Sequence, residues 1–255
     1  MGLAALGISR ILKLPFIATY HTAFPQYVDH LTGDSIMGEL IWKYMVWFYN
    51  QAELVLVPSR STGNELAARG IPKEKIRHFH RGFDIQQFHP ARRNGFYKHG
   101  YNLNDKVFKL LYVGRVSKEK NLHIFSEIAK RLNAANRDIH IIIAGDGPYM
   151  QELKRLMGDN GNITFTGYLK GSDLSQAYAS SDVFIFPSTT DTFGNVVIEA
   201  QASGLPVIVT DQGGPKENMI DGETGYIVPA DNADAFVSRI LGLYDDRDLL
   251  KRMRN

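Results

Sequence analysis

The chain has 255 residues, 44% of them hydrophobic, enough to fill the core of one large domain or two modest ones. Charged residues make up 22% and the formal net charge is +2, so no global basic field points to nucleic acid and any positive charge that matters must be local. Cysteine is absent, which excludes disulfides, thiolate metal sites and cysteine nucleophiles and fits a reducing compartment.

Residues 1–12 are apolar with Arg10 near the end, the reverse of the order in a signal peptide, and read as a core helix. Residues 15–20 (PFIATY) and 53–58 (ELVLVP) read as short buried strands. Between them, 36–49 is an aromatic-rich helix that contains Glu39 and Lys43 and falls short of the ~18 apolar residues of a membrane span. Its aromatic residues, Trp42, Trp47, Phe48 and Tyr49, suit either a core face or a surface that meets lipid. Ser59 reads as the N-cap of a helix over 60–69, which stops at Gly70 before Pro72, and 76–80 reads as a further strand. The polar and aromatic stretch 82–105 has no sustained periodicity and reads as a connection, with 91–105 as the interdomain linker. Three strands are too few to bury both faces of a sheet. The first domain, 1–90, is therefore expected to be incomplete, with Met1 an internal methionine of a longer parent protein.

Over 106–255 the pattern is regular. Strands are expected at 107–113, 139–144, 163–165, 183–186, 206–209 and 225–228, and helices at 122–133, 150–157, 174–179, 195–203 and 234–244. Apolar strands alternating with amphipathic helices predict an α/β domain, a doubly wound parallel sheet that binds ligands at the carboxyl ends of its strands.

Two clusters carry candidate chemistry. The first, VGRVSKEKN, sits where a strand ends and a helix is expected to begin. Gly114 lets backbone come close to a ligand, the helix start favours an anion, and Arg115 and Lys120 can both reach a diphosphate. A solvated charged turn is the plain alternative. The second cluster is FPSTTDTFGNVVIEA, in which Asp191 lies in a loop and Glu199 one turn into the following helix. Carboxylates accept from pairs of sugar hydroxyls, and free amides at a helix start hold phosphate or hydroxyl oxygens. The alternative for Glu199 is a structural hydrogen bond to backbone.

Together with the AGDGP turn (144–148), FTGY (165–168), GLPV (204–207) and Gly213-Gly214, these clusters resemble the retaining family 4 glycosyltransferases. The resemblance implies a GT-B fold of two Rossmann-like domains, the N-terminal one incomplete. It also implies transfer of a hexosyl group from a UDP- or GDP-sugar to a lipid or glycan acceptor. By the same likeness Arg115 and Lys120 hold the donor diphosphate beside Gly114 and Gly145, and Glu199 binds the ribose. Asp191 touches the transferred sugar, with amides of Thr192, Phe193, Gly194, Asn195, Val196 and Val197 in support, and Gly167, Tyr168 and Leu169 flank the nucleobase. The first acidic position is usually glutamate in the family, so aspartate here leaves the sugar open. His21, in YHTAF after a strand end, is expected to face the reacting sugar or the leaving phosphate. His78, His80 and His89 have no nearby carboxylate pair or cysteine to complete a metal shell, and neither a metal nor a cofactor beyond the donor substrate is expected. A role in the cell envelope, in the cytoplasm or peripherally at the inner face of a membrane, completes the expectation. A sugar-nucleotide-binding protein without transfer is the alternative.

Overall fold

The structure, a computed structural model, describes residues 2–25, 28, 35–79, 82–158 and 161–254. The chain divides into two units, Met1–Gly82 with Thr190–Phe193, and Phe83–Thr189 with Gly194–Asn255.

In the first unit β1 (Ile17–Thr19), β2 (Leu54–Val57) and β3 (Ile76–His78) form a parallel sheet in that order. His80, expected to extend the last strand, lies outside the described residues. Tyr20, Val55, Val57 and Leu66 are fully buried, and helix Ser35–Asn50 closes over them with Trp42 and Met45. The opposite face of that helix leaves Ile36, Leu40, Tyr44 and Trp47 exposed, so it is a core helix on one side only. The opening helix, Gly2–Leu12, departs from the core reading: only Leu6 and Ser9 are buried, while Leu3, Ile8 and Ile11 face outward. No described helix is long and apolar enough to cross a membrane. Ser59 caps helix Arg60–Ala68 by accepting from the Thr62 amide at 3.2 Å.

The second unit holds β4 (Phe108–Val113), β5 (Ile139–Ala144), β6 (Ile163–Gly167), β7 (Val183–Phe186), β8 (Val207–Thr210) and β9 (Gly225–Val228). All are parallel, in the order β6-β5-β4-β7-β8-β9. This is the dinucleotide-fold order, in which the chain leaves in opposite directions on either side of β4 and β7 and opens a crevice at their carboxyl ends. Every residue of β4 and β5 is buried, as a sheet covered on both faces requires.

Three details differ from the sequence reading. The stretch 91–105 is ordered: helix Phe96–Tyr101 lies between Gly95 and Asn102, both left-handed, and seats Tyr97 in the core. The Tyr97 hydroxyl lies 2.9 Å from the Ala177 carbonyl. After β4 the chain makes a single 3-10 turn, Lys118–Lys120, and the α-helix starts only at Ile124, because left-handed Asn121 interrupts the run. A final helix, Arg247–Met253, is capped by Asp246 and buries Leu250 and Met253.

The turns after β4, β5 and β6 are sewn together by backbone alone. Gly114 N–H donates to Ala144 at 3.0 Å, Val116 N–H to Asp146 at 3.0 Å, Gly145 N–H to Gly167 at 2.8 Å and Tyr149 N–H to Val116 at 3.0 Å. The approach is so close that a Cβ on Gly145, where φ is +150°, would overlap the Gly114 carbonyl, and one on Gly147 would overlap that of Val116. Gly145→Ala is therefore expected to cost about 3 kcal/mol or more. That corresponds to a fall in Tm of roughly 6–12 °C. Gly242→Ala, inside helix Ala233–Asp245 with open space around it, should hold or raise the Tm, and equal melting of the two variants would contradict the packing described.

At the other end of the sheet His140, on β5, is buried and shares a 2.8 Å hydrogen bond with Thr164. Burial, reinforced by the Lys109 charge, lowers its pKa from 6.5 to about 4. The folded state thus resists a proton that the unfolded chain takes up, and stability falls as pH drops from 6.5 towards 4, by about 3 kcal/mol from this group. His140→Gln should flatten that part of a stability-versus-pH curve measured by denaturant; parallel curves would show that His140 does not titrate as described.

Candidate functional site

The sewn turns build one wall of a cleft of about 380 Å³ at the carboxyl ends of the strands of the second unit. The turn after β4 supplies Gly114 and Arg115, the turn after β5 supplies Gly145 and Asp146, and Tyr168, Leu169 and Leu174 follow β6. Helix Asn195–Ala202 adds Val196 and Glu199 to the lining. The volume and the mixture of apolar lining with a few polar groups suit a small-molecule site.

Arg115 is exposed at the cleft, and its guanidinium has no hydrogen-bond or ion-pair partner among the described residues. Its own carbonyl accepts from the Tyr112 hydroxyl at 3.0 Å, which fixes the backbone of the turn. A Cβ on Gly114 would press on that same hydroxyl at 2.7 Å, so this glycine serves the turn itself as well as access to the cleft. Asp146 caps its own turn by accepting from the Gly147 amide at 2.8 Å.

Glu199 is half-buried. Its Oε2 accepts from the Tyr178 hydroxyl at 2.9 Å, a side-chain partner where the sequence had suggested backbone. Burial raises the Glu199 pKa, and the bond from Tyr178 opposes the rise. Tyr178 is itself fully buried, which holds its hydroxyl protonated and therefore a donor.

The remaining expected residues fall in three places. Lys120 is buried in the 3-10 turn Lys118–Lys120 after Ser117, a few residues beyond the exposed Arg115. Gly167 ends β6, with φ +71° and its carbonyl engaged by the Gly145 amide. Gly194, left-handed at φ +81° and packed against Pro215, starts helix Asn195–Ala202. Asn195 is exposed, while Val197 is buried in the core. The Val197 amide donates to the Gly194 carbonyl at 3.0 Å. Asp191, Thr192 and Phe193 group with the first unit. There the Thr192 hydroxyl donates to the carbonyl of His21 at 3.0 Å, and the Thr192 carbonyl accepts from Thr62 at 3.4 Å. The His21 side chain is exposed. His80 is outside the described residues, among which no group of three His, Cys, Asp or Glu gathers as metal ligands do.

Tyr178 is the residue that sequence reasoning missed. It stands 21 positions from Glu199, and only the adjacency of the helices after β6 and β7 joins them. Val113, Ala144 and Asp146, which also line the cleft, lie inside or beside motifs already singled out.

The fold is shared with solved glycosyltransferase structures. HepE from Anabaena, in complex with UDP and glucose, superposes with a TM-score of 0.83 at 21% identity, covering all of this chain and 68% of that one. Sucrose-phosphate synthase from Thermosynechococcus elongatus gives 0.83 at 21%, over 100% and 64%. In sequence the chain is 33% identical to sulfoquinovosyl transferase SQD2 of Arabidopsis thaliana, over 97% of this chain and 48% of the relative. It is also 33% identical to a GDP-mannose-dependent alpha-mannosyltransferase of Mycobacterium tuberculosis, over 90% and 57%. The chain thus spans about half the length of the curated relatives it matches. Residues 1–87 match Glycosyltransferase Family 4, and residues 95–255 match Glycosyl transferases group 1. With two parallel-sheet units of the GT-B type and the larger match covering more than half its length, the chain belongs to the glycosyl transferases group 1 family.

Proposed function

We propose that the intact protein transfers a hexosyl group from a UDP- or GDP-sugar to a lipid or glycan acceptor, with retention at the anomeric carbon and without a metal. The single observation that carries this is that an arginine with no partner among the described residues and a half-buried carboxylate line one cleft at the dinucleotide-fold crevice. A nucleoside diphosphate presents the complementary pair, an anion and a vicinal diol. The names of the relatives, a sulfoquinovosyl transferase, GDP-mannose-dependent mannosyltransferases and an alpha-monoglucosyldiacylglycerol synthase of Streptococcus pneumoniae, support the choice of donor and acceptor class.

In this reading the bond between the anomeric carbon and the diphosphate oxygen breaks with its electron pair leaving on the diphosphate. The acceptor hydroxyl forms the new bond on the face the diphosphate leaves, and its proton passes to the departing diphosphate oxygen. Negative charge grows on the leaving group, so a fixed cation aimed at it stabilises the transition state more than the ground state. Arg115 supplies that cation from the cleft, and Lys120 adds a second charge from the turn behind it. Glu199 accepts from the ribose hydroxyls, and Tyr168 and Leu169 flank the base. Asp191 and His21 face the transferred sugar, with the backbone of Thr192, Phe193, Gly194, Asn195 and Val196 around it. The same reading places the protein in the cytoplasm, at the inner face of a membrane when the acceptor is a lipid.

Calorimetric titration of the chain with UDP, GDP and the corresponding nucleosides tests the donor assignment. One diphosphate should bind, and Arg115→Ala should weaken it by about 10-fold or more while leaving nucleoside binding unchanged, as loss of a charge-assisted bond predicts. Absence of binding by both diphosphates would remove the assignment. In the intact enzyme Lys120→Ala should lower turnover by about 100-fold, as loss of one donor at a developing anion does. Unimpaired turnover would take Lys120 out of the site, and donor binding without any transfer would leave a binding protein in place of an enzyme.

A further inference from the structure

Tyr178 is fully buried, yet its one polar atom is aimed at a group of the cleft and not at backbone. Its ring is gripped edge-on by Phe88, with centroids 5.6 Å apart at 85°, and packs on Phe184 at 5.7 Å. A tyrosine so held has no rotamer freedom left, and its hydroxyl is a fixed point. That point lies 2.9 Å from Glu199 Oε2. Glu199 Oε1 has no partner among the described residues, and Glu199 lines the cleft. A glutamate on the first turns of a helix otherwise samples several rotamers, each turning its oxygens differently.

We propose that Tyr178 is a positioning residue: it clamps one oxygen of Glu199 so that the other is held out to the ribose hydroxyls of the bound nucleotide, and it thereby sets the preference of the cleft for ribonucleotides over deoxyribonucleotides. The inference rests on the proposed donor reading and adds to it the residue that makes the carboxylate selective. Tyr178 touches no substrate; it acts through Glu199. Without the clamp the carboxylate can turn towards water or towards the core, and a diol pays the cost of ordering it again.

The test is titration of the chain with UDP and GDP, each beside its 2′-deoxy counterpart, for wild type, Tyr178→Phe, Glu199→Asp and the double variant Tyr178→Phe/Glu199→Ala beside Glu199→Ala alone. Wild type should prefer the ribonucleotide by about 10-fold or more, the range of a hydrogen bond to a charged group. Tyr178→Phe keeps the ring packing and removes only the hydroxyl. It should lose about 10-fold in ribonucleotide affinity, leave the 2′-deoxy compound unchanged, and bring the ratio to within about 2-fold of one. A purely structural role would weaken both compounds together. Glu199→Asp leaves Tyr178 and the core intact but draws the carboxylate back by a methylene, and should bring the ratio down in the same way, so the proposal is tested even if the phenylalanine variant does not fold. In the Glu199→Ala background Tyr178→Phe should change nothing further, since a residue that acts only through its partner is silent once the partner is gone.

Each failure has its own signature. Wild-type discrimination retained by Tyr178→Phe or by Glu199→Asp overturns the clamp alone. A wild-type ratio near one removes Glu199 from the ribose and the clamp with it. No binding of either diphosphate overturns the donor reading itself.

Discussion

The cleft exists because two backbones come closer than any side chain permits. The turn after β5 lies against the turn after β4 so tightly that Gly145 and Gly147 have no room for a Cβ, and four backbone hydrogen bonds hold the three turns as an extension of the sheet. This close seam turns the ends of separate strands into one continuous wall. It also leaves the Arg115 side chain outside the sewn surface, on a backbone fixed at its carbonyl by Tyr112. Nothing in the cleft would keep its place if the seam opened.

On that frame the electrostatics are deliberately incomplete. Arg115 and Glu199 carry opposite charges and share a cleft, yet they form no ion pair with each other among the described residues. Glu199 is half-buried with one oxygen held by Tyr178, so its carboxylate carries a partial desolvation cost, whereas the exposed Arg115 guanidinium stays hydrated. A ligand that is anionic at one end and rich in hydroxyls further along is complementary to both groups.

Much of this was legible in the sequence, for identifiable reasons. Short, mainly apolar runs such as IHIIIA and FKLLYV suit strands buried on both faces, even with His140 and Lys109 among them, and their alternation with helices points to a parallel sheet. Arg115 was readable because it directly follows a strand end, and Glu199 because its spacing from Asp191 resembles a family motif. Residues whose role depends on what packs beside them were not. Helix Phe96–Tyr101 is held by the burial of Tyr97 and by left-handed residues at both ends, so its glycines masked it. Tyr178 becomes part of the site only through the neighbouring helix that bears Glu199. Lys120 looked equivalent to Arg115 in the sequence, but it sits in a 3-10 turn and is buried where Arg115 is exposed. The opening helix, apolar enough to suggest a core, keeps most of its apolar residues on the surface of the first unit.

The central claim is that one cleft reads both ends of a nucleoside diphosphate. A crystal structure of the chain grown with UDP or GDP tests it most directly. The account predicts the diphosphate within hydrogen-bond distance of the Arg115 guanidinium and a ribose hydroxyl on Glu199, with the base beside Tyr168 and Leu169. A nucleotide bound elsewhere, or one in this cleft with its phosphates away from Arg115, would contradict it.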